Sequence, residues 1–212
     1  MNRIHSAALA ALAALAAAAF SAPVHAQSEP IVFVHGYSGS GSNWDVMAAR
    51  FTASGYPSRN LYKFDYSSLV NSNTVSAIEL RNFVNTVRAR HGNAKVAVVA
   101  HSNGGLVSRS YLVNQGGSAA TRRFVSLGTP HKGTTYAYAC VSPACLEMRP
   151  GSSFLRALGT RGCDRSLWSA TDGIILPAAN AQCGTSVRTA DVDHLALLTD
   201  TSVYNQVRQQ LR

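Results

Sequence analysis

The sequence predicts an α/β fold: one domain on a six-stranded, mostly parallel sheet with helices on both faces. Three observations carry this. Short apolar runs alternate with helix-period patterns along the chain, and no internal repeat interrupts them. The run from Lys95 to Ala100, KVAVVA, is apolar enough for a strand buried on both faces. It turns sharply through His101, Ser102, Asn103 and Gly104, then continues as LVSRSYLVNQ, a helical stretch that Gly116 and Gly117 stop.

The first 26 residues read as a leader outside the fold. Asn2, Arg3 and His5 make a short basic start, and Ala7 to Phe20 is an Ala-rich apolar run too short to span a bilayer. Val24-His25-Ala26 offers small residues where a signal peptidase reads, so a signal peptide (1–26) and a domain from Gln27 to Arg212 are expected. That places the chain outside the cell or in the periplasm, with no membrane segment after cleavage.

The elements follow in order. Ile31 to Val34 is a strand, and His35-Gly36-Tyr37 opens the loop after it. Ser42 or Asn43 is expected to cap a helix reaching about Ser54. Leu61 to Tyr66 is a second strand. Thr74 to Arg90 is an amphipathic helix, with Leu80, Phe83, Val84 and Val87 at i, i+3, i+4 and i+7. The strand at 96–100 and its helix come next, then a strand from Phe124 to Leu127. Tyr136 to Pro150 has no convincing period, and Ser153 to Leu158 is a short helix. Arg165 to Ala170 and Thr185 to Thr189 are the last strands, and Thr201 is expected to cap the final helix.

The formal charge is +9, or +8 once Arg3 leaves with the leader. The basic residues are scattered, without a stripe of interleaved aromatics, which argues against nucleic acid as a partner. The four cysteines, Cys140, Cys145, Cys163 and Cys183, read as two disulfides in an exported chain. Cys163 and Cys183 each precede a strand and would meet at the sheet's N-terminal edge. That leaves Cys140 with Cys145. The spacings contain no close C-x-x-C pair, so a zinc site is not expected.

A strand, a serine at a tight turn and a helix make a nucleophile elbow. The usual pattern is G-x-S-x-G; here Ala100 stands in the first position and Gly104 in the last. The turn exposes the Ser102 hydroxyl above the sheet and places the Asn103 N–H at a helix N-terminus. A serine needs a base, and the base needs an acceptor that fixes its tautomer. With partners in the order serine, acid, histidine, His131 fails because no Asp or Glu lies between it and Ser102. His194 remains. Of the acids before it, Asp164 precedes its strand at the wrong edge, and Asp191 and Asp193 share the histidine's own loop. Glu147 sits in the irregular segment. Asp172, just after a strand, is the expected acid.

A second donor to a developing oxyanion is expected from Tyr37 N–H, with Gly36 allowing close approach. His35 and His101 flank the site and read as packing or hydrogen-bonding residues, with His101 also kept as a substrate contact beside Gly36. Trp44 either lines an acyl pocket or packs the first helix, and the sequence does not choose.

The segments VFVHGYSGSGSNW, VVAHSNGGL, LGTPHKGT, SLWSATDGIILP and DVDHLALL together resemble the small secreted bacterial lipases of the α/β-hydrolase superfamily, of lipase class 2 type. The resemblance covers nearly all of the chain after the leader. It implies a minimal hydrolase core and cleavage of carboxylic esters without a cofactor or metal. It also implies Ser102, Asp172 and His194 as triad and Tyr37 and Asn103 as oxyanion donors. A monomer is expected, acting on an ester or lipid, in places at an interface. An extracellular depolymerase of aliphatic polyesters is the alternative with the same chemistry, and a non-catalytic binding module is the alternative without it. The longer segment 136–162 departs from the smallest members and leaves open both chain-length preference and a lid.

Overall fold

The computed structural model describes residues 29–212; the expected leader and the start at Gln27 lie outside the described residues. Six strands form one sheet: β1 (Ile31–Val34), β2 (Leu61–Phe64), β3 (Val96–His101), β4 (Thr121–Leu127), β5 (Arg165–Trp168) and β6 (Thr185–Arg188). They lie in the order β2-β1-β3-β4-β5-β6, and every neighbouring pair is parallel. The chain builds outward from β1 in one direction and then returns to continue in the other. The loops after β1 and β3 therefore diverge and leave a crevice at the C-terminal edge.

Among the described residues seven α-helices complete the domain: α1 (Asp45–Ala53), α2 (Asn73–Arg90), α3 (Asn103–Asn114), α4 (Gly117–Ala120), α5 (Pro143–Met148), α6 (Ser153–Leu158) and α7 (Thr201–Gln210). The period-2 alternation of the strands sorts the core into two layers. Ile31, Phe33, Ala97 and Val99 face α1 and α7, packing with Met47, Phe51, Val203 and Val207. Val32, Val34, Val98 and Ala100 face α2 and α3, packing with Leu80, Val84, Val107 and Tyr111. Both faces are covered, which is why the strands read as continuous apolar runs and not as alternating ones.

Two local expectations are corrected by cap chemistry. A 3-10 turn over Gly41–Trp44 precedes α1, and Asn43 Oδ1 accepts from Ser40 N at 2.8 Å. Asn43 thus braces the turn before the helix and does not cap the helix itself. At α7 the cap is Asp200, not Thr201: its Oδ1 accepts from Ser202 N at 2.8 Å and Val203 N at 3.0 Å. A carboxylate can serve both free first-turn amides and also favours the positive end of the helix.

The segment without a clear period contains a 3-10 helix over Thr135–Ala139, then α5. Its apolar side chains Ala137, Cys145 and Met148 pack on Leu106 of α3 and Leu155 of α6 as a third, smaller cluster. Elements this short cannot show a period. Fully buried Arg109 of α3 donates to the carbonyls of Gly159 and Arg161, fixing the turn after α6 that leads into β5.

The disulfides are Cys140–Cys145, with Cα atoms 5.8 Å apart, and Cys163–Cys183, at 5.4 Å. The second joins the N-terminal ends of β5 and β6 across 20 residues of sequence. A crosslink closing a loop of that length restricts the unfolded chain by about 3 kcal/mol. Replacing Cys163 and Cys183 together by serine is expected to lower unfolding stability by about that amount in denaturant titration. Activity per folded molecule should be retained, because the link lies at the edge away from the crevice.

Candidate active site

The turn after β3 holds the residue at its tip in a strained backbone conformation. Ser102 has φ 53° and ψ −131°, a conformation that costs a non-glycine residue about 1 to 3 kcal/mol. Packing enforces it. Ser102 N–H continues the ladder by donating to Leu127 O at 2.9 Å, and α3 starts at the next residue. The start of α3 lies directly against the end of β1: a Cβ on Gly104 would sit 2.3 Å from His35 O and 2.6 Å from Val34 O. On the other side, a Cβ on Gly36 would come within 2.8 Å of Ser102 Cβ. Neither glycine can be larger while the serine keeps its place.

His194 and Asp172 meet beside the serine. His194 Nδ1 donates to Asp172 Oδ2 at 2.8 Å, and both residues are buried. The remaining oxygen of Asp172, Oδ1, accepts from the amides of Ile174 at 3.0 Å and Ile175 at 2.7 Å. His194 N–H also donates to the Asp172 carbonyl at 2.9 Å. The carboxylate is therefore held by its own turn while it orients the ring. With Nδ1 carrying the hydrogen, Nε2 is left as the acceptor. The Ser102 hydroxyl makes no hydrogen bond among the described residues. It opens with His194 onto the same cavities.

Each of the other acids is engaged elsewhere. Asp164 pairs with Arg123 at 3.2 Å and accepts from Phe124 N at the far edge of the sheet. Asp191 pairs with Arg188 at 2.8 Å, and Asp193 caps the turn at Leu195 and Ala196. Glu147 accepts from Asn73 N, the first residue of α2, at 2.6 Å. His131 is buried against Ser126 Oγ at 2.9 Å.

A cavity of about 400 Å³ opens over Ser102 and His194. Its walls are largely apolar, with Ala137, Ala139, Met148, Ile174, Ile175 and Leu195 among them. A second arm of about 170 Å³ runs the other way past Gly36, Gly39, Asn43 and His101. Tyr37 and Ser38 lie at the junction. The Gly36 carbonyl accepts from His35 Nδ1 at 2.8 Å and from Gly39 N at 3.2 Å. Because a peptide is planar and trans, fixing that carbonyl fixes the Tyr37 N–H on the opposite side. The Asn103 N–H is the first of α3 and has no intrahelical partner. Trp44 reaches neither arm. It is fully buried, its ring 5.0 Å from Phe33, so it packs the first helix and is not a substrate contact. Among the described residues no cluster of three or more His, Cys, Asp or Glu side chains is arranged to hold a metal ion.

Sequence reasoning missed the wall of the larger cavity. Thr134 Oγ1 donates to Ile174 O at 2.6 Å and accepts from Leu176 N at 3.0 Å, joining that wall to the acid's loop. Arg149 donates to Ala137 O at 3.2 Å and Cys140 O at 2.9 Å, bracing it from behind. No sequence signal marks these contacts. The Ile174 and Ile175 amides had one: Asp172-Gly173 is a turn-forming pair whose aspartate accepts from the amides that follow.

Three buried histidines are neutral. Burial lowers His35 and His131, and burial with the neighbouring His194 pushes His101 down to about 3. In the unfolded chain each binds a proton below about pH 6.5. Between that pH and the folded value the unfolded state holds more protons, so stability present at neutral pH is lost on acidification. The thermal midpoint is expected to fall steadily from pH 7 toward pH 4, with a shallower slope in His131→Asn. A midpoint independent of pH over that range would contradict the assignment.

The comparisons with known proteins agree with this architecture. The family model described as lipase (class 2) matches residues 28–211. The Bacillus licheniformis lipase BlEst2 in its mature form superposes with a TM-score of 0.76 at 20% identity, covering 88% of this chain and 93% of that one. A carboxylesterase of Nitrososphaera gargenis superposes with a TM-score of 0.63 at 12% identity, covering 87% and 90%. Aspergillus fumigatus lipase B gives 0.64 at 15% identity, over 80% of this chain and 49% of that one. At such identities the likeness speaks for the fold, while the family match spans nearly the whole described chain. A parallel six-stranded sheet with an elbow serine, matched from residue 28 to 211, places the chain in the class 2 lipases, carboxylic ester hydrolases of α/β-hydrolase fold.

Proposed function

We propose that the protein is a secreted serine hydrolase that cleaves lipid and other carboxylic esters through an acyl-enzyme on Ser102. The observation that carries this is the buried His194–Asp172 pair, 2.8 Å apart, beside a strained serine at the mouth of an apolar cavity. His194 Nε2 takes the hydroxyl proton as Oγ attacks the ester carbonyl carbon. The carbonyl oxygen becomes an oxyanion between the N–H groups of Tyr37 and Asn103. As the tetrahedral intermediate collapses, the carbon–oxygen bond to the alcohol breaks and His194 returns the proton to the departing oxygen. Water then attacks the acyl-serine with His194 again as base, and the carboxylic acid leaves. Asp172 stays ionised and stabilises the imidazolium formed in each half.

The larger, apolar arm suits an acyl chain, and the smaller arm, with Gly39 and Asn43, suits the alcohol portion. Tyr136 and Leu195 line the cavity yet are 53% and 67% exposed, and Tyr138 and Val141 beside it are 60% and 82% exposed. Such a rim favours substrates presented at an apolar surface. Two disulfides fit an oxidising compartment, in agreement with the leader expected at 1–26. No helix among the described residues is long and apolar enough to cross a membrane.

Ser102→Ala and His194→Ala are each expected to fold and to lose several orders of magnitude in kcat/KM, with little further loss when combined, because the members act as one unit. Asp172→Asn should also lose activity, since an amide supports the wrong tautomer. Asp191→Asn and Asp193→Asn should change turnover by less than about tenfold. The substrate test runs p-nitrophenyl esters of increasing acyl length beside an emulsified triglyceride and an aliphatic polyester film. Soluble fragments from the film at rates above those from the triglyceride would move the assignment to a polyester depolymerase. Ester hydrolysis by Ser102→Ala at the normal rate would remove the serine mechanism altogether.

A further inference from the structure

His101 is the strand residue immediately before the nucleophile, and its ring is 4% exposed. Its Nε2 lies 2.9 Å from the main-chain carbonyl of His194. A carbonyl only accepts, so Nε2 carries the hydrogen and donates it. The two imidazole rings lie 4.5 Å apart, centroid to centroid, tilted by 45°. The other ring nitrogen, Nδ1, lies under the loop after β1, where a Cβ on Gly36 would approach it to 3.2 Å. The side chain of the nucleophile's neighbour therefore touches both the base and the loop expected to supply an oxyanion donor.

The importance of this contact follows from what else holds the base. The segment 191–195 lies beyond β6 and carries no strand pairing. Apart from the ion pair of exposed Asp191 with Arg188 at the end of β6, most of its hydrogen bonds to other elements run to the acid's loop. Ser169 and Thr171 hold Val192, and Asp172 holds the backbone and ring of His194. These bonds make base and acid one block. They do not set how far that block stands from Ser102, whose hydroxyl is free. Among the described residues, the bond from His101 to the His194 carbonyl is the hydrogen bond between this segment and the nucleophile's strand.

We propose that His101 is a positioning residue: it sets the distance between nucleophile and base by tying the His194 backbone to the residue preceding Ser102. This rests on the reading of Ser102 and His194 as nucleophile and base. The ring serves as a neutral donor of fixed length. Burial together with His194 keeps it uncharged at working pH, so it adds no repulsion when His194 becomes an imidazolium.

The test compares His101→Leu, His101→Asn and His101→Gln with the native chain on one soluble p-nitrophenyl ester, below the thermal midpoint of each variant. Leucine keeps bulk and removes the donor. Asparagine has a donor too short to reach the carbonyl. Glutamine places an amide N–H near the native Nε2 position. The expected result is a fall in kcat of about tenfold to a hundredfold for Leu and Asn with KM within about twofold, and recovery of most of kcat in Gln. If Leu does not fold, the Asn and Gln pair decides alone. Equal kcat in Asn and Gln, or native kcat in Leu, would overturn the proposal. So would a loss confined to KM. Parallel assays of Ser102→Ala and His194→Ala separate the two ideas. Inactive Ser102→Ala beside fully active His101→Leu leaves the triad standing and removes the positioning role, whereas active Ser102→Ala removes the triad itself.

Discussion

The close approach of two backbones governs the site. The end of β1 and the start of α3 are in contact, close enough that no side chain fits at Gly104. This contact requires the register Val34↔Ala100 between parallel neighbours, which brings both strands to the crevice at the same height. It also holds Ser102 at a positive φ that its own chemistry disfavours. The strain is local and the support is global: the two apolar layers that cover the sheet keep β1 and β3 together. The same geometry that exposes the hydroxyl brings the loop carrying Tyr37 alongside the first amide of α3.

Around that contact the polar groups are satisfied in a chain. A buried carboxylate is costly unless hydrogen-bonded. Asp172 is given two amides by its own turn and the His194 ring by the next loop. His194 is in turn held through both ends of its residue, its N–H by Asp172 and its carbonyl by His101. His35 holds the Gly36 peptide, stacks on Tyr66 at 4.3 Å, and its carbonyl accepts from the Tyr66 hydroxyl at 2.9 Å. Desolvation keeps His35 and His101 neutral, so these rings act as fixed dipoles beside the His194–Asp172 pair.

The part of the chain that gives the cavity its shape is built differently. Residues 134–149 form short turns, braced by Arg149, the Cys140–Cys145 bond and a hydrogen bond between the Tyr37 hydroxyl and Ser142 Oγ at 3.0 Å. The apolar side chains Tyr136 and Leu195 stand half in solvent at the mouth. The wall is joined to the acid's loop through Thr134, so the apolar surface and the hydrogen-bonded pair share one support.

The sequence by itself determined the sheet, its parallel sense and the elbow. Continuous apolar runs and the amphipathic spacing along the 18-residue α2 are signals that local sequence records. Chain order also singled out His194 and Asp172 as the pair now seen 2.8 Å apart, because few acids and histidines follow Ser102. Tertiary structure decided the rest. Trp44 was equally suited to core and cavity until its packing on Phe33 put it in the core. The cap of α7 passed to Asp200 because two amides favour a carboxylate. The wall at 134–149 and the bond from His101 to His194 depend on residues up to 105 positions apart. Local patterning records which face of an element is buried. It holds no record of which distant carbonyl a buried ring will meet, and that meeting is set only when the loops close over the sheet.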